Sequence, residues 1–214
     1  MLKKIAVALL IICFCSCVYA ETATVFLQGG IVFGQTLRRL QCDVSSLQYN
    51  SHLRGESITD LVVIIISGGG HLIESIAIYE YLGMLKGEGM TIHAVASGIC
   101  ASGAMLVLQA GDVRYAGKYT GLMTHAPMVA FTPLSTTILT MEEIMELYDH
   151  MESTNKMMVK LHADRMGKKP TEIMQWFTSV PCFMTAEEAY QRGFIDRVIY
   201  DGVTFYNFYK RTDK

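Results

Sequence analysis

The segment "ASGICASGAM" (96–105) gathers five Ala or Ser residues, two Gly and one Cys within ten positions. Only Ile99 and Met105 are large. Ser102 sits among these small neighbours, directly before the apolar run "AMLVLQAG". A serine at a helix start stands beside backbone N–H groups that lack intrahelical partners and carry partial positive charge. Small neighbours let a substrate carbonyl approach within bonding distance. Such a turn can stabilise a tetrahedral oxyanion, where one donor contributes roughly 3–4 kcal/mol.

A serine hydroxyl also needs a base. Of the six histidines, His93 falls within a β run. His125, in "LMTHAP" after another β run, is best placed to reach the same sheet edge. His52, His71, His150 and His162 read as linker, turn or helix-surface residues. Spacing alone leaves a Ser102–His125 dyad open against ordinary core and turn roles.

The elements that would position these groups read as an α/β pattern. "ITDLVVIIIS" (58–67) is a continuous β-branched run, suited to a strand buried on both faces. It ends at "SGGG". "HLIESIAIYEYLGML" (71–85) carries Leu72, Ile73, Ile76, Tyr79 and Leu82 along one helical stripe. "MTIHAVAS" (90–97) is a second β run. Strand, glycine turn, helix and strand make one βαβ unit. The pattern repeats in compressed form through "GICASG" and a short helix over 102–110. In such sheets reactive groups collect beyond the carboxyl ends of the strands. The turns at Ser67–Gly70 and Gly98–Gly103 are therefore expected at one edge.

Upstream, "TVFLQGGIVFG" reads as a strand and Gly turn, and 35–48 as a helix. Downstream, "VRYAGK" and "GLMTHAP" read as strands. Residues 136–167 read as a long amphipathic helix with Ile144, Leu147, Met151, Met158 and Leu161 on its stripe. In "TAEEAYQRGFIDRVI" (185–199), Thr185 with Glu188 forms a capping box.

The 214 residues suggest one domain with an appended element. The chain is 51% hydrophobic with a formal net charge of -2. It has no basic run interleaved with aromatics, which argues against a nucleic-acid partner. Residues 1–20 read as a secretory signal peptide: Lys3 and Lys4, a thirteen-residue apolar stretch, then "VYA". A second reading is a lipoprotein signal acylated at Cys17. A third is an uncleaved anchor or a cytoplasmic chain. After it, Cys42, Cys100 and Cys182 are odd in number with no CxxC pair, which supports neither a disulfide framework nor a zinc site. No cofactor is expected.

Four blocks, "SGGGHLIESIAIYEYL", "GICASGAMLVLQAG", "LMTHAP" and "FMTAEEAYQRGFIDRVI", resemble in order and spacing the Clp protease proteolytic subunit family, within the crotonase-like fold group. The family's "SPGGS", "AASMGA" and "HQP" segments match them in character. The resemblance covers most of residues 24–200. It implies a repeated βαβ spiral fold with a protruding handle helix at 136–167, and a peptidase domain over 21–214. It implies Ser102 as nucleophile, His125 as general base and the N–H groups of Gly70 and Gly103 as oxyanion donors. It also implies homo-oligomeric rings, and peptides or unfolded proteins as substrates.

Three departures accompany the resemblance. Pro181 stands where the family has the acid of its triad, whose loss costs roughly 10⁴-fold in turnover. Glu172, Asp112 and a backbone carbonyl are the candidate replacements. Gly68 replaces the proline of "SPGG", and Gly103 a larger residue. The chain before Val25 is short where the family engages an ATPase, and an exported protein meets no ATP; an ATPase partner is not expected. The expectation is an exported serine endopeptidase, whether periplasmic, secreted or membrane-associated. The alternatives are a catalytically degenerate assembly subunit, a signal-peptide-peptidase relative using Ser102 with Lys118, and a crotonase-type acyl-CoA enzyme.

Overall fold

The computed structural model describes residues 19–128 and 139–209. The expected signal segment falls almost wholly outside the described residues, as do positions 136–138 of the expected long helix. The chain runs β1 (Tyr19–Gln28), α1 (Thr36–Leu53), β2 (Glu56–Ser67), α2 (Leu72–Gly87), β3 (Thr91–Ala101), α3 (Gly103–Gln109), β4 (Val113–Gly117) and β5 (Gly121–Thr124). It continues through α4 (Met141–Met166), α5 (Pro170–Met174), β6 (Cys182–Met184), α6 (Ala186–Arg192), β7 (Arg197–Ile199) and α7 (Gly202–Tyr209).

The sheet order is β1-β2-β3-β4-β7, and every pairing along it is parallel. Leu61 to Ile65 of β2 are wholly buried, because apolar side chains cover both faces of this central strand. Ala94, Leu106 and Ile78 belong to the larger cluster, with the helices α1 to α3. Val62, Ile64, Val95 and Tyr115 form a smaller cluster with Phe208 of α7. That helix and the three-residue β6 are elements the sequence patterns did not anticipate.

Strand β3 changes neighbours midway. Its first half, His93 to Ala96, pairs with β4, and its end, Ile99 to Ala101, pairs with β5. The register against β2 shifts between Ile65/Ser67, leaving extra β3 residues opposite Ile66. Gly98, with φ +67, supplies the left-handed backbone this irregularity needs. The expected turn beginning at Gly98 is therefore a bulge inside a longer strand, and the turn itself is confined to Ser102 and Gly103.

Two caps bound α4. Thr140 and Glu143 form a capping box at its start, and Gly167 closes it in the left-handed conformation. Only the far end is buried, through Met158, Val159, His162 and Ala163. Met141, Ile144, Met145 and Tyr148 are exposed. His162, expected on the helix surface, is instead completely buried, with its ring 4.7 Å from Phe177 and 6.0 Å from Phe194 between centroids.

Beneath α3, the buried Arg114 grips Asp196 at 2.7 Å and 3.0 Å and also donates to Gln109. Gln109 in turn donates to the Phe194 carbonyl at 3.2 Å. These bonds fix the end of α3 against β4 and the approach to β7, so the start of α3 is held from below.

Candidate active site

Ser102 is the N-cap of α3, one residue before the helix, with φ 55 and ψ −124. It is the only non-glycine residue with positive φ among the described residues. Such a conformation costs of order 1–3 kcal/mol and persists only where the surroundings enforce it. Enforcement is visible here. The Ser102 N–H donates to the Met123 carbonyl of β5 at 2.8 Å, and the Met105 N–H donates back to the Ser102 carbonyl at 2.9 Å.

On the other side, the glycine loop is packed against this turn. A methyl group placed at Gly69 would lie 2.5 Å from the Ala101 carbonyl oxygen, 2.7 Å from Ser102 Cβ and 2.8 Å from the Gly103 nitrogen. One at Gly70 would collide with the Ile31 backbone. The loop is itself braced. Ser67 Oγ donates to the Gly29 carbonyl at 2.6 Å and accepts from the Gly69 N–H at 3.1 Å. The Ile31 N–H donates to Gly69 O at 2.9 Å, and the His71 N–H to Ile31 O at 2.8 Å.

The Gly70 and Gly103 N–H groups make no hydrogen bond among the described residues. Gly103 is the first residue of α3, so no intrahelical acceptor exists for it. The direction in which a Gly103 side chain would extend passes 3.6 Å from the Gly70 nitrogen. Two unused donors thus stand together next to Ser102. Gly68, which replaces the proline of "SPGG", lies in open space without left-handed backbone.

His125 follows β5 directly. Its Nε2 lies 2.8 Å from Ser102 Oγ, and its Nδ1 lies 2.6 Å from the Ala126 carbonyl oxygen. A carbonyl can only accept, so Nδ1 carries the hydrogen and Nε2 presents its lone pair to the serine hydroxyl. The Ala126 peptide is fixed in turn. Its N–H donates to the Thr178 carbonyl at 2.8 Å, while Thr124 Oγ1 donates to the Trp176 carbonyl at 2.7 Å. Asn155 of α4 holds the same strip by donating to the Phe177 carbonyl at 3.2 Å. Pro127 comes next, and a residue before proline is biased to extended backbone.

Pro181 directly precedes β6. Strand β6 pairs antiparallel with β5, and the ladder ends with Thr124 against Cys182, the neighbours in sequence of His125 and Pro181. The other expected orienters are engaged elsewhere. Glu172 accepts from the Lys169 N–H at 2.9 Å at the start of α5, and Asp112 accepts from the Ile92 N–H at 2.8 Å. Of the three candidates, the backbone carbonyl is the one in place. Lys118 lies with its Nζ 5.3 Å from the Tyr119 ring centroid, and the Ser102 hydroxyl is taken by His125.

Sequence reasoning did not reach Ala126, Ser67 or Asn155. A main-chain acceptor leaves no residue-type signature. The sequence places Ser67 in the glycine turn but gives no sign of the two bonds that brace it.

A family model described as Clp protease matches residues 38–202. The chain is 29% identical over 145 residues to an ATP-dependent Clp protease proteolytic subunit of Populus trichocarpa, covering 66% of this chain and 68% of that one. It is 29% identical over 143 residues to the subunit of the same description from Spinacia oleracea, covering 65% and 67% respectively. With the family model spanning well over half its length, and a mostly parallel α/β sheet to match, this chain belongs to the Clp protease family, a family of serine-type peptidases.

Proposed function

We propose that this protein is an endopeptidase that hydrolyses peptide bonds of peptides or unfolded proteins through an acyl-enzyme on Ser102. His125 Nε2 takes the hydroxyl proton as Ser102 Oγ attacks the scissile carbonyl. The developing oxyanion is met by the Gly70 and Gly103 N–H groups. His125 then gives its proton to the leaving amine, and water attacks the ester by the same route in reverse. The observation that carries this reading is the 2.8 Å contact between Ser102 Oγ and a histidine whose far nitrogen is already committed to a carbonyl. A positioned general base contributes typically 10²–10⁴-fold.

Among the described residues, the partners of the His125 ring are the Ser102 hydroxyl and the Ala126 carbonyl, with no carboxylate. A carbonyl fixes the tautomer and the ring plane but supplies no full negative charge to the imidazolium. Turnover below that of a full triad is therefore expected. Members of the family form rings and act on protein substrates, usually with ATPases. We propose rings here too, supported by the exposed Met141, Ile144, Met145 and Tyr148 on α4. Export, directed by residues 1–20, and action without an ATPase complete the reading.

A fluorophosphonate probe tests the chemistry. The probe labels the wild-type chain, and labelling disappears in Ser102→Ala and falls steeply in His125→Ala. Pro181 favours the second reading, an inactive subunit kept for assembly. No labelling between pH 6 and 9, in a chain that still forms rings, selects that reading instead.

A further inference from the structure

We propose that Ser75 is a positioning residue of this site, setting the spacing between the two amide donors and reserving position 103 for glycine. This rests on the peptidase reading above. Ser75 lies in the first turn of α2, four residues after His71 and wholly buried. A side chain on Gly103 would run directly into Ser75 Oγ, with Ser75 Cβ at 3.3 Å and the Gly70 nitrogen at 3.6 Å. The serine hydroxyl therefore fills the space beneath the pair of donors.

Gly103 needs no glycine for its own backbone, which is not in the left-handed region. What excludes a larger residue is the neighbour. Ser75 has little freedom to yield. Its Oγ donates to the His71 carbonyl at 3.1 Å, and its N–H donates to the same oxygen at 3.0 Å. The turn that carries it is also fastened from outside. The buried Glu74 carboxylate accepts from the Gly34 N–H at 2.8 Å and the Leu37 N–H at 2.7 Å, locking the start of α2 to the start of α1. A methyl group at position 103 would thus displace the Ser102–Gly103 turn rather than the helix below it. Displacement moves the Gly103 N–H away from Gly70 and moves Ser102 Oγ relative to His125.

A two-site cycle with the full chain tests this: Gly103→Ala, Ser75→Gly and the pair together. Each is read by kcat and KM on a fluorogenic peptide, by the rate of fluorophosphonate labelling and by melting temperature. Loss of an oxyanion donor lowers kcat on the order of 10²-fold. Gly103→Ala is expected to lose at least about 10-fold in kcat with KM little changed, because the donors act in the transition state. Ser75→Gly alone is expected to lose less than Gly103→Ala. Adding Ser75→Gly to Gly103→Ala is expected to recover most of the lost kcat and labelling rate. A merely structural contact would change melting temperature without that split between kcat and KM. A double variant no better than Gly103→Ala, or a Gly103→Ala chain as active as wild type, overturns the proposal. An inert wild-type chain overturns the peptidase reading itself, and that outcome is distinct from failure of the rescue.

Discussion

The two sides of the Ser102 hydroxyl are held by different means. Toward the glycine loop, main chain packs on main chain: Gly69 touches Ala101, Ser102 and Gly103, and Ser67 and Ile31 brace the loop from behind. Toward the imidazole, the support is a strip of three carbonyls at Trp176, Phe177 and Thr178, held by bonds from Thr124, Asn155 and Ala126. The amide corner has no spare volume, so its geometry changes only by breaking the packing. The histidine edge depends on a few hydrogen bonds of about 1 kcal/mol each, so it can be adjusted step by step. A site built this way tolerates change on the adjustable side more readily than change on the packed side.

The largest effect is expected at the packed corner. Gly70→Ala forces a side chain into the Ile31 backbone, from a backbone angle of φ +150. It should cost several kcal/mol in denaturant unfolding and abolish probe labelling. A chain that stayed both stable and reactive would remove the contrast drawn above.

The next test lies under the histidine edge, at His162. Burial pushes this imidazole down to about 4, opposed by its bond to the Met158 carbonyl and reinforced by Arg114. Its Nε2 has no partner among the described residues. The unfolded chain binds the proton near pH 6.5 and the folded chain resists it to about 4. Stability from this group is complete above pH 6.5 and drains as pH falls toward 4, by about 3 kcal/mol. His162→Leu should flatten that part of the melting-temperature profile; identical acid-side slopes would reject the assignment.

Installing a carboxylate sharpens the comparison further. Pro181→Asp puts an acid one residue before Cys182, which pairs with Thr124 next to His125, and about 10-fold higher turnover is expected, short of the 10⁴-fold a complete triad can supply. Lower turnover in a well-folded variant would mean that the Ala126 carbonyl and an acid cannot share this ring. The smallest effect belongs to Asn155→Ala, which frees the Phe177 carbonyl. It should cost about 1 kcal/mol of stability and a few-fold in kcat. No change in either would take Asn155 out of the support.

These differences track what the amino-acid sequence could reveal. The amide corner was legible, because only small residues fit there: "SGGG" and "ASG" announce close backbone contact. The β-branched run of β2 and the capping box of α6 were equally plain. The histidine edge was legible only as His125. Its orienter is a carbonyl, which every residue has. Strand β6 is three residues long, too short to show alternation, and α7 is built from Val, Thr, Phe and Tyr, whose types favour strands. His162 looked like surface because most of α4 is exposed. Phe177 and Phe194 pack their rings on it near the last turns of α4, where it is buried.

The β3–β5 ladder joins the two halves, and its last backbone bond is made by Ser102. The amide of Ser102 is given to Met123, two positions before His125. Hydroxyl and imidazole therefore travel as a unit: parting β5 from β3 releases both at once. Solvent exchange of that single amide proton becomes a gauge of whether the reactive pair is assembled, readable without any substrate.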